Sequence, residues 1–234
     1  MAVTDLIQTV GVTKDYQLGT HTVHALRGVD LRVRPGEFLS IVGPSGSGKT
    51  TLLNMIGCLD IPTEGMVELF GEFDTRDLDD RASTLLRRDR IGFIFQSFNL
   101  MPVLNIRENI GLPLDLQRVD VKEMNARIDE LVEVVGLSDY AEHRPEELSG
   151  GQRQRVAVAR ALVTQPDLVL ADEPTANLDH ESGMAVLRLM QKMNETRGTT
   201  FIFSTHDPKV MDLATRTVVI EDGQVTEDTV KSKA

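Results

Sequence analysis

At 234 residues with 41% apolar content, the chain is long enough for one large domain carrying a subdomain, and it can bury a substantial core. Acidic residues outnumber basic ones 36 to 25, giving a net charge of −11, which excludes the broad cationic face needed to wrap nucleic acid or lie on an anionic membrane but not docking to a membrane protein. Tryptophan is absent and Cys58 is the only cysteine, so the core should be aliphatic, no internal disulfide forms, and a reducing compartment is expected.

The opening stretch, Met1–Tyr16, lacks the basic-then-apolar layout of a signal peptide. No apolar run approaches the ~20 residues that span a bilayer. The expectation is a single soluble domain over residues 1–234, without membrane insertion, so that any membrane role comes through a partner. Residues 1–37 and 65–73 read as short strands and turns, an antiparallel patch beside a main sheet.

Phe38–Val42 reads as a strand, and Gly43-Pro44-Ser45-Gly46-Ser47-Gly48-Lys49-Thr50 follows at once, matching G-x-x-x-x-G-K-[ST] in full. Thr51–Gly57 then reads as a helix. Strand, glycine loop and helix is the context in which backbone N–H groups converge on phosphates. Lys49 then reaches the β- and γ-phosphates and Thr50 ligates Mg²⁺, with Thr51 beside them. A nucleotide site gives Tyr16 two readings: an aromatic ring stacked on adenine, or a partly buried packing residue. Cys58, on the segment after the loop, reads as space-filling with no redox role.

Ile91–Phe95 is a second strand, ending at Gln96. The stretch from Asn105 to Arg144 carries no strand signal. Asn105 with Glu108 makes a capping-box-like start, and Asp120–Val135 is amphipathic, with Met124, Ile128, Leu131 and Val135 on one face. Residues 97–147 therefore read as a helical subdomain inserted ahead of Leu148-Ser149-Gly150-Gly151-Gln152. There Ser149 suits an N-cap, and the helix start that follows is a second anion site, separate from the phosphate loop.

Leu168–Ala171 is an apolar strand ending in Asp172-Glu173. Two acids after such a strand call for a cation: Asp172 orients Mg²⁺ through water and Glu173 polarises an attacking water. Thr200–Ser204 is a further strand, followed by Thr205 and His206, which can donate to a γ-phosphate. Four strands thus deliver polar groups to one sheet edge, where ligands of open α/β sheets bind. The polar stretch 226–234 reads as a fraying tail.

The ordered set Gly43–Thr50, Gln96, Leu148–Gln152, Leu168–Glu173, Asn177-Leu178-Asp179 and His206 resembles the nucleotide-binding domain of ABC ATPases over essentially the whole chain. The resemblance implies an α/β fold of the P-loop NTPase type, a RecA-like core with an N-terminal antiparallel β subdomain and an inserted helical subdomain. It implies ATP and Mg²⁺ as ligands, with Gln96 joining Thr50 and Asp172 near the metal. It also implies head-to-tail pairing of two copies, so that Ser149, Gly150, Gly151 and Gln152 serve the partner's ATP and Asp179 lies at the interface. Ile56–Gly65, Arg87–Leu114 and Ser204–Val210 resemble the lipoprotein-release and macrolide-export class, of the LolD/MacB type. That class implies a cytoplasmic ATPase held at the inner face of the membrane by an integral permease, whose coupling helix is received by a groove at Gln96–Met101. Asn105–Asn109 departs from that class, which more often shows Thr-Ala-Leu-Glu-Asn there. The alternatives are a soluble ABC ATPase without a transport role, disfavoured by the acidic charge, and an ATPase that controls a cell-wall hydrolase through a permease-like partner.

Overall fold

Two sheets of opposite character organise the chain, of which the computed structural model describes residues 4–231. In chain order they begin with β1 (Ile7–Leu18), β2 (His21–Val33), β3 (Phe38–Val42), α1 (Lys49–Ile56), β4 (Glu64–Leu69) and β5 (Phe73–Asp74). The middle holds α2 (Asp80–Arg90), β6 (Ile91–Ile94), α3 (Ile106–Gln117), α4 (Val121–Val134) and α5 (Gly150–Leu162). The last third holds β7 (Leu168–Asp172), α6 (His180–Arg197), β8 (Thr200–Ser204), α7 (Pro208–Leu213), β9 (Arg216–Glu221) and β10 (Gln224–Val230).

The larger sheet has the order β10-β9-β3-β8-β7-β6, parallel except for β10. The smaller, β2-β1-β4-β5, is antiparallel throughout. Parallel strands are covered on both faces, and the side-chain alternation shows how. Leu39, Ile41, Leu168, Leu170 and Ile202 face the side where α1 packs, with β1, β2 and β4 behind it. Phe38, Val169, Ala171, Phe201 and Phe203 face the side covered by α5 and α6. α1, the helix that follows the glycine loop, is thereby clamped between the two sheets and buries Leu52, Leu53, Met55 and Ile56. The core is not purely aliphatic: the Phe38 ring packs at a tilt against Phe203, centroids 4.6 Å apart, and against Phe201 at 5.6 Å.

Residues 97–147 contain α3, α4 and two short 3₁₀ turns. Asn105 accepts from the Glu108 N–H and Glu108 accepts from the Asn105 N–H, a reciprocal capping box. Asp120 caps α4, which buries Ile128 and Leu131, with Val135 buried just beyond its end and Met124 packed at the edge of the same cluster.

Three differences from the sequence reading have local causes. The first strands are long, 12 and 13 residues, because irregularities near Val12 and Lys14 bend the pair without ending it. α2 has no apolar stripe to mark it in the sequence, because it is a surface helix that buries only Leu86. The stretch expected to fray is ordered through Val230: β10 pairs antiparallel with β9 across an Asp222-Gly223 turn, and Asp228 is tied to Arg216 at 2.7 Å. An exposed edge strand needs no apolar alternation, so its polar sequence concealed it. Residues 232–234 of that tail lie outside the described residues. No helix among the described residues is long and apolar enough to cross a membrane.

Candidate active site

The glycine loop between β3 and α1 has a conformation that side chains would block. Gly43 lies at φ 152°, and a Cβ there would meet the Ile220 carbonyl at 2.0 Å; at Gly48, φ 106°, it would meet the Ala25 carbonyl at 2.5 Å. Lys49 is buried, its ammonium donating to the carbonyls of Gly43 at 2.8 Å and Pro44 at 2.9 Å. The cation is thus held over the loop, aimed at the space the loop encloses. Ser47 is also buried, its carbonyl accepting from the Gly223 N–H at 3.0 Å.

That space is a cleft of about 660 Å³. Its walls bring together Gly43, Pro44, Ser45, Gly46, Gly48, Lys49, Thr50 and Thr51 with Gln96, Asp172, Glu173 and His206. The register of the parallel sheet explains this meeting. β3, β6, β7 and β8 run the same way in register, so the residues at and just beyond each strand's end reach the same edge. At that edge the Thr50 hydroxyl donates to both carboxylate oxygens of Asp172, at 3.2 and 3.1 Å. Glu173 occupies the left-handed region, φ 46°, and its N–H is bonded to the Ser204 carbonyl at 2.8 Å. One Glu173 oxygen lies 2.7 Å from His206 Nδ1, and the other accepts from the Thr205 hydroxyl at 3.1 Å. Gln96 is exposed, and its carbonyl accepts from the Asn177 amide at 2.9 Å.

The structure adds participants from β2, which carried no local signal, and gives Thr205, placed at its strand end by the sequence, a specific role. Val23, His24 and Ala25 of β2 line the cleft, brought there because β2 packs against the glycine loop at Gly48 and donates from Arg27 N–H to the Gly223 carbonyl at 2.8 Å. Thr205 is fully buried, and its hydroxyl also accepts from the Asp207 N–H at 3.0 Å. Asp207 in turn accepts from Thr175 at 2.8 Å, so the segments after β7 and β8 are stitched together behind Glu173.

Other expected site residues stand apart from the cleft. Tyr16 does not line it, although Val23, its partner across the β1–β2 pairing, does. Ser149, Gly150, Gly151, Gln152 and Asp179 form a second locus. Ser149 caps α5 in a reciprocal box with Gln152. Asp179 caps α6 by accepting from the Ser182 N–H at 2.9 Å, a bond that also lowers its pKa. A Cβ on Gly151 would come within 2.7 Å of Ser182, so the two helix starts touch because that residue is glycine. None of these five residues lines the cleft.

A doubly wound α/β sheet with a phosphate loop, an acid pair and a histidine at one edge defines the class: a P-loop nucleotide hydrolase. Comparison with known proteins narrows it. Residues 26–176 match the model of the ABC transporter family. The chain is 46% identical over 224 residues to an ABC transporter ATP-binding protein, MJ0796, of Methanocaldococcus jannaschii, covering 94% of this chain and 95% of the relative. It is 47% identical over 224 residues to the lipoprotein-releasing system ATP-binding protein LolD 1 of Rhodopseudomonas palustris, covering 94% and 98%. The macrolide export ATP-binding/permease protein MacB of Syntrophobacter fumaroxidans is 46% identical, and there the match covers 31% of the longer relative. A dimeric structure of MJ0796 with ADP and Pi, in a post-hydrolysis state, superposes with a TM-score of 0.90 at 44% identity, covering 97% of this chain. The chain belongs to the ABC transporter family, as one of its ATP-binding, ATP-hydrolysing subunits.

Proposed function

We propose that this chain works as a pair of identical copies that close on two ATP molecules and drive a separate membrane permease. The observation that carries its hydrolytic step is the cluster at the mouth of the phosphate loop, Thr50 with Asp172 and Glu173 with His206 and Thr205, while the dimeric relative and the relatives named for export and lipoprotein release support the pairing and the permease.

In this reading the loop N–H groups and Lys49 hold the β- and γ-phosphates. Thr50 and Asp172 offer one hydroxyl and one carboxylate, the hard oxygen donors that suit Mg²⁺. With only these two protein donors, phosphate and water oxygens would complete the shell of such an ion. Bound there, Mg²⁺ would neutralise charge developing on the transferred phosphoryl group. Glu173 accepts the proton of the attacking water. His206 Nδ1 orients that carboxylate, and its ring, lining the same cleft, serves the γ-phosphate. Gln96 lies at the metal edge and begins the segment that meets the permease. Tyr16 supplies the base-stacking face.

The second anion site answers to the partner copy. Ser149, Gly150, Gly151 and Gln152 of one copy bind the γ-phosphate held by the other, and Asp179 lies at the contact. ATP then favours the closed pair only while its γ-phosphate is intact, and this differential affinity moves the permease. Relatives named for lipoprotein release and macrolide export support an integral permease as the partner, with the chain held at the inner membrane face through it.

Glu173→Gln tests the chemistry. It should bind ATP as the parent does, lose turnover by about 10²- to 10⁴-fold in a phosphate-release assay, and double its mass by light scattering with Mg-ATP. Turnover at the parent rate would remove Glu173 as the base. Purifying the locked variant from native membranes should bring down a permease; a clean dimer with no membrane protein would overturn the transport reading.

A further inference from the structure

We infer that Asp60, braced by Lys14, is a positioning residue that holds the Tyr16 ring in place for the nucleotide base. The inference rests on Tyr16 being the base platform, as proposed above. The Tyr16 hydroxyl donates to Asp60 Oδ2 at 2.9 Å. Asp60 Oδ1 accepts from the Lys14 ammonium at 2.6 Å and from the Ile61 N–H at 2.7 Å. Lys14 also donates to the Ile61 carbonyl at 2.7 Å, and its nitrogen lies 5.1 Å from the Tyr16 ring centroid. A ring fixed at its Cα by β1 and at its phenol oxygen by Asp60 has neither χ1 nor χ2 left free. With an ammonium behind one face, the base has the other to stack on.

The loop bearing Asp60 is itself anchored at both ends. Its Leu59 and Asp60 N–H groups donate to the Asn54 carbonyl of α1, at 2.9 and 3.3 Å. Thr63 N–H donates to the Thr13 carbonyl and Asp15 N–H to the Thr63 hydroxyl, both into β1. α1 begins at Lys49, and Thr51 in its first turn lies beside the Tyr16 phenol. One carboxylate therefore sets the distance between the base platform and the phosphate loop. Burial and Asp60 both raise the phenol pKa, so the hydroxyl remains a donor at neutral pH. Burial opposes ionisation of Asp60, but the hydrogen bonds from Lys14, Ile61 and Tyr16 outweigh it and hold its pKa low. Ordering the ring before the base arrives removes an entropy cost from binding.

The test compares Mg-ATP with Mg-tripolyphosphate, which lacks a base, by calorimetric titration. Tyr16→Phe keeps the stacking face and removes only the tether. Asp60→Asn and the double variant complete a cycle. Each single change should raise the Kd for ATP by about three- to tenfold, leave tripolyphosphate unchanged, and add nothing to the other. Parent-like ATP affinity in Tyr16→Phe overturns the tether, and that arm needs no change to the Asp60 loop. Additive losses, or equal weakening of tripolyphosphate by Asp60→Asn, also overturn it, because the loop would then act through α1 on the phosphates. Parent-like ATP affinity in Tyr16→Ala would instead show that Tyr16 is not the base platform.

Discussion

Thr205 has the largest ratio of structural consequence to sequence signal. Its hydroxyl donates to Glu173 and accepts from the Asp207 N–H, and its own N–H is bonded to the Ile41 carbonyl at 3.0 Å. Glu173 is held in a left-handed backbone conformation that a side chain adopts only when its surroundings enforce it. Removing the hydroxyl with Thr205→Val keeps the shape and frees one carboxylate oxygen. The expected outcome is a fall in kcat of about tenfold with unchanged ATP affinity, restored by Thr205→Ser. A parallel fall in binding would assign Thr205 to packing alone. Cys58 shows the opposite case: burial pushes its thiol up to about 11, with Arg87 only partly offsetting this, so it has no thiolate character at neutral pH.

At the scale of elements, helix starts do the positioning. α3, α4, α5 and α6 each open on a side chain that accepts from a backbone N–H two or three residues on. Asn105 also donates to Glu142 at 2.9 Å, tying α3 to the turn that leads toward Ser149. Asn105→Ala removes a capping box that touches no part of the cleft. It should cost about 1 kcal/mol and lower Tm by about 2–4 °C in a thermal melt, leaving ATP affinity intact. Arg160 of α5 links elements differently. Its guanidinium is partly buried, which lowers its pKa, and it donates to the Phe98 and Asn99 carbonyls at 2.8 and 2.6 Å. Those two residues have positive φ and follow Gln96 closely, so α5 grips the segment that begins there.

Across the whole molecule, the acidic excess is managed by arginines. Hydrogen bonds from Arg76, Arg88 and Arg216 hold Asp74, Asp89 and Asp228 below the usual carboxylate range. A carboxylate whose folded pKa is depressed stabilises the fold above its unfolded value, near pH 4, and loses that contribution as pH falls through the folded value. Because these pairs are partly solvated, each contributes little. Melts should therefore be nearly flat between about pH 6 and 8 and fall below about pH 4. Asp228→Asn should lower Tm more at neutral than at acid pH, since the pair it removes is already lost in acid. An equal drop at both would show that the Arg216 clasp is not titrating.

Sequence alone determined the phosphate loop, the acid pair, the cap at Ser149 and the four strands that end at the site, because each depends on residues adjacent in the chain. A glycine loop between a strand and a helix needs nothing distant to be recognised, and neither does an apolar run ending in two acids. Tertiary structure alone decided what meets what. Val23 and His24 reach the cleft because β2 packs against the glycine loop and the β9–β10 turn, Thr205 reaches Glu173 because β7 and β8 are neighbours in register, and Asp60 reaches Tyr16 across 44 residues of chain. β10 is held in place by Arg216 and the β9 edge, with no apolar pattern of its own. Local chemistry is written in residues side by side, whereas the partners of a side chain depend on register and layer packing, which no local window contains.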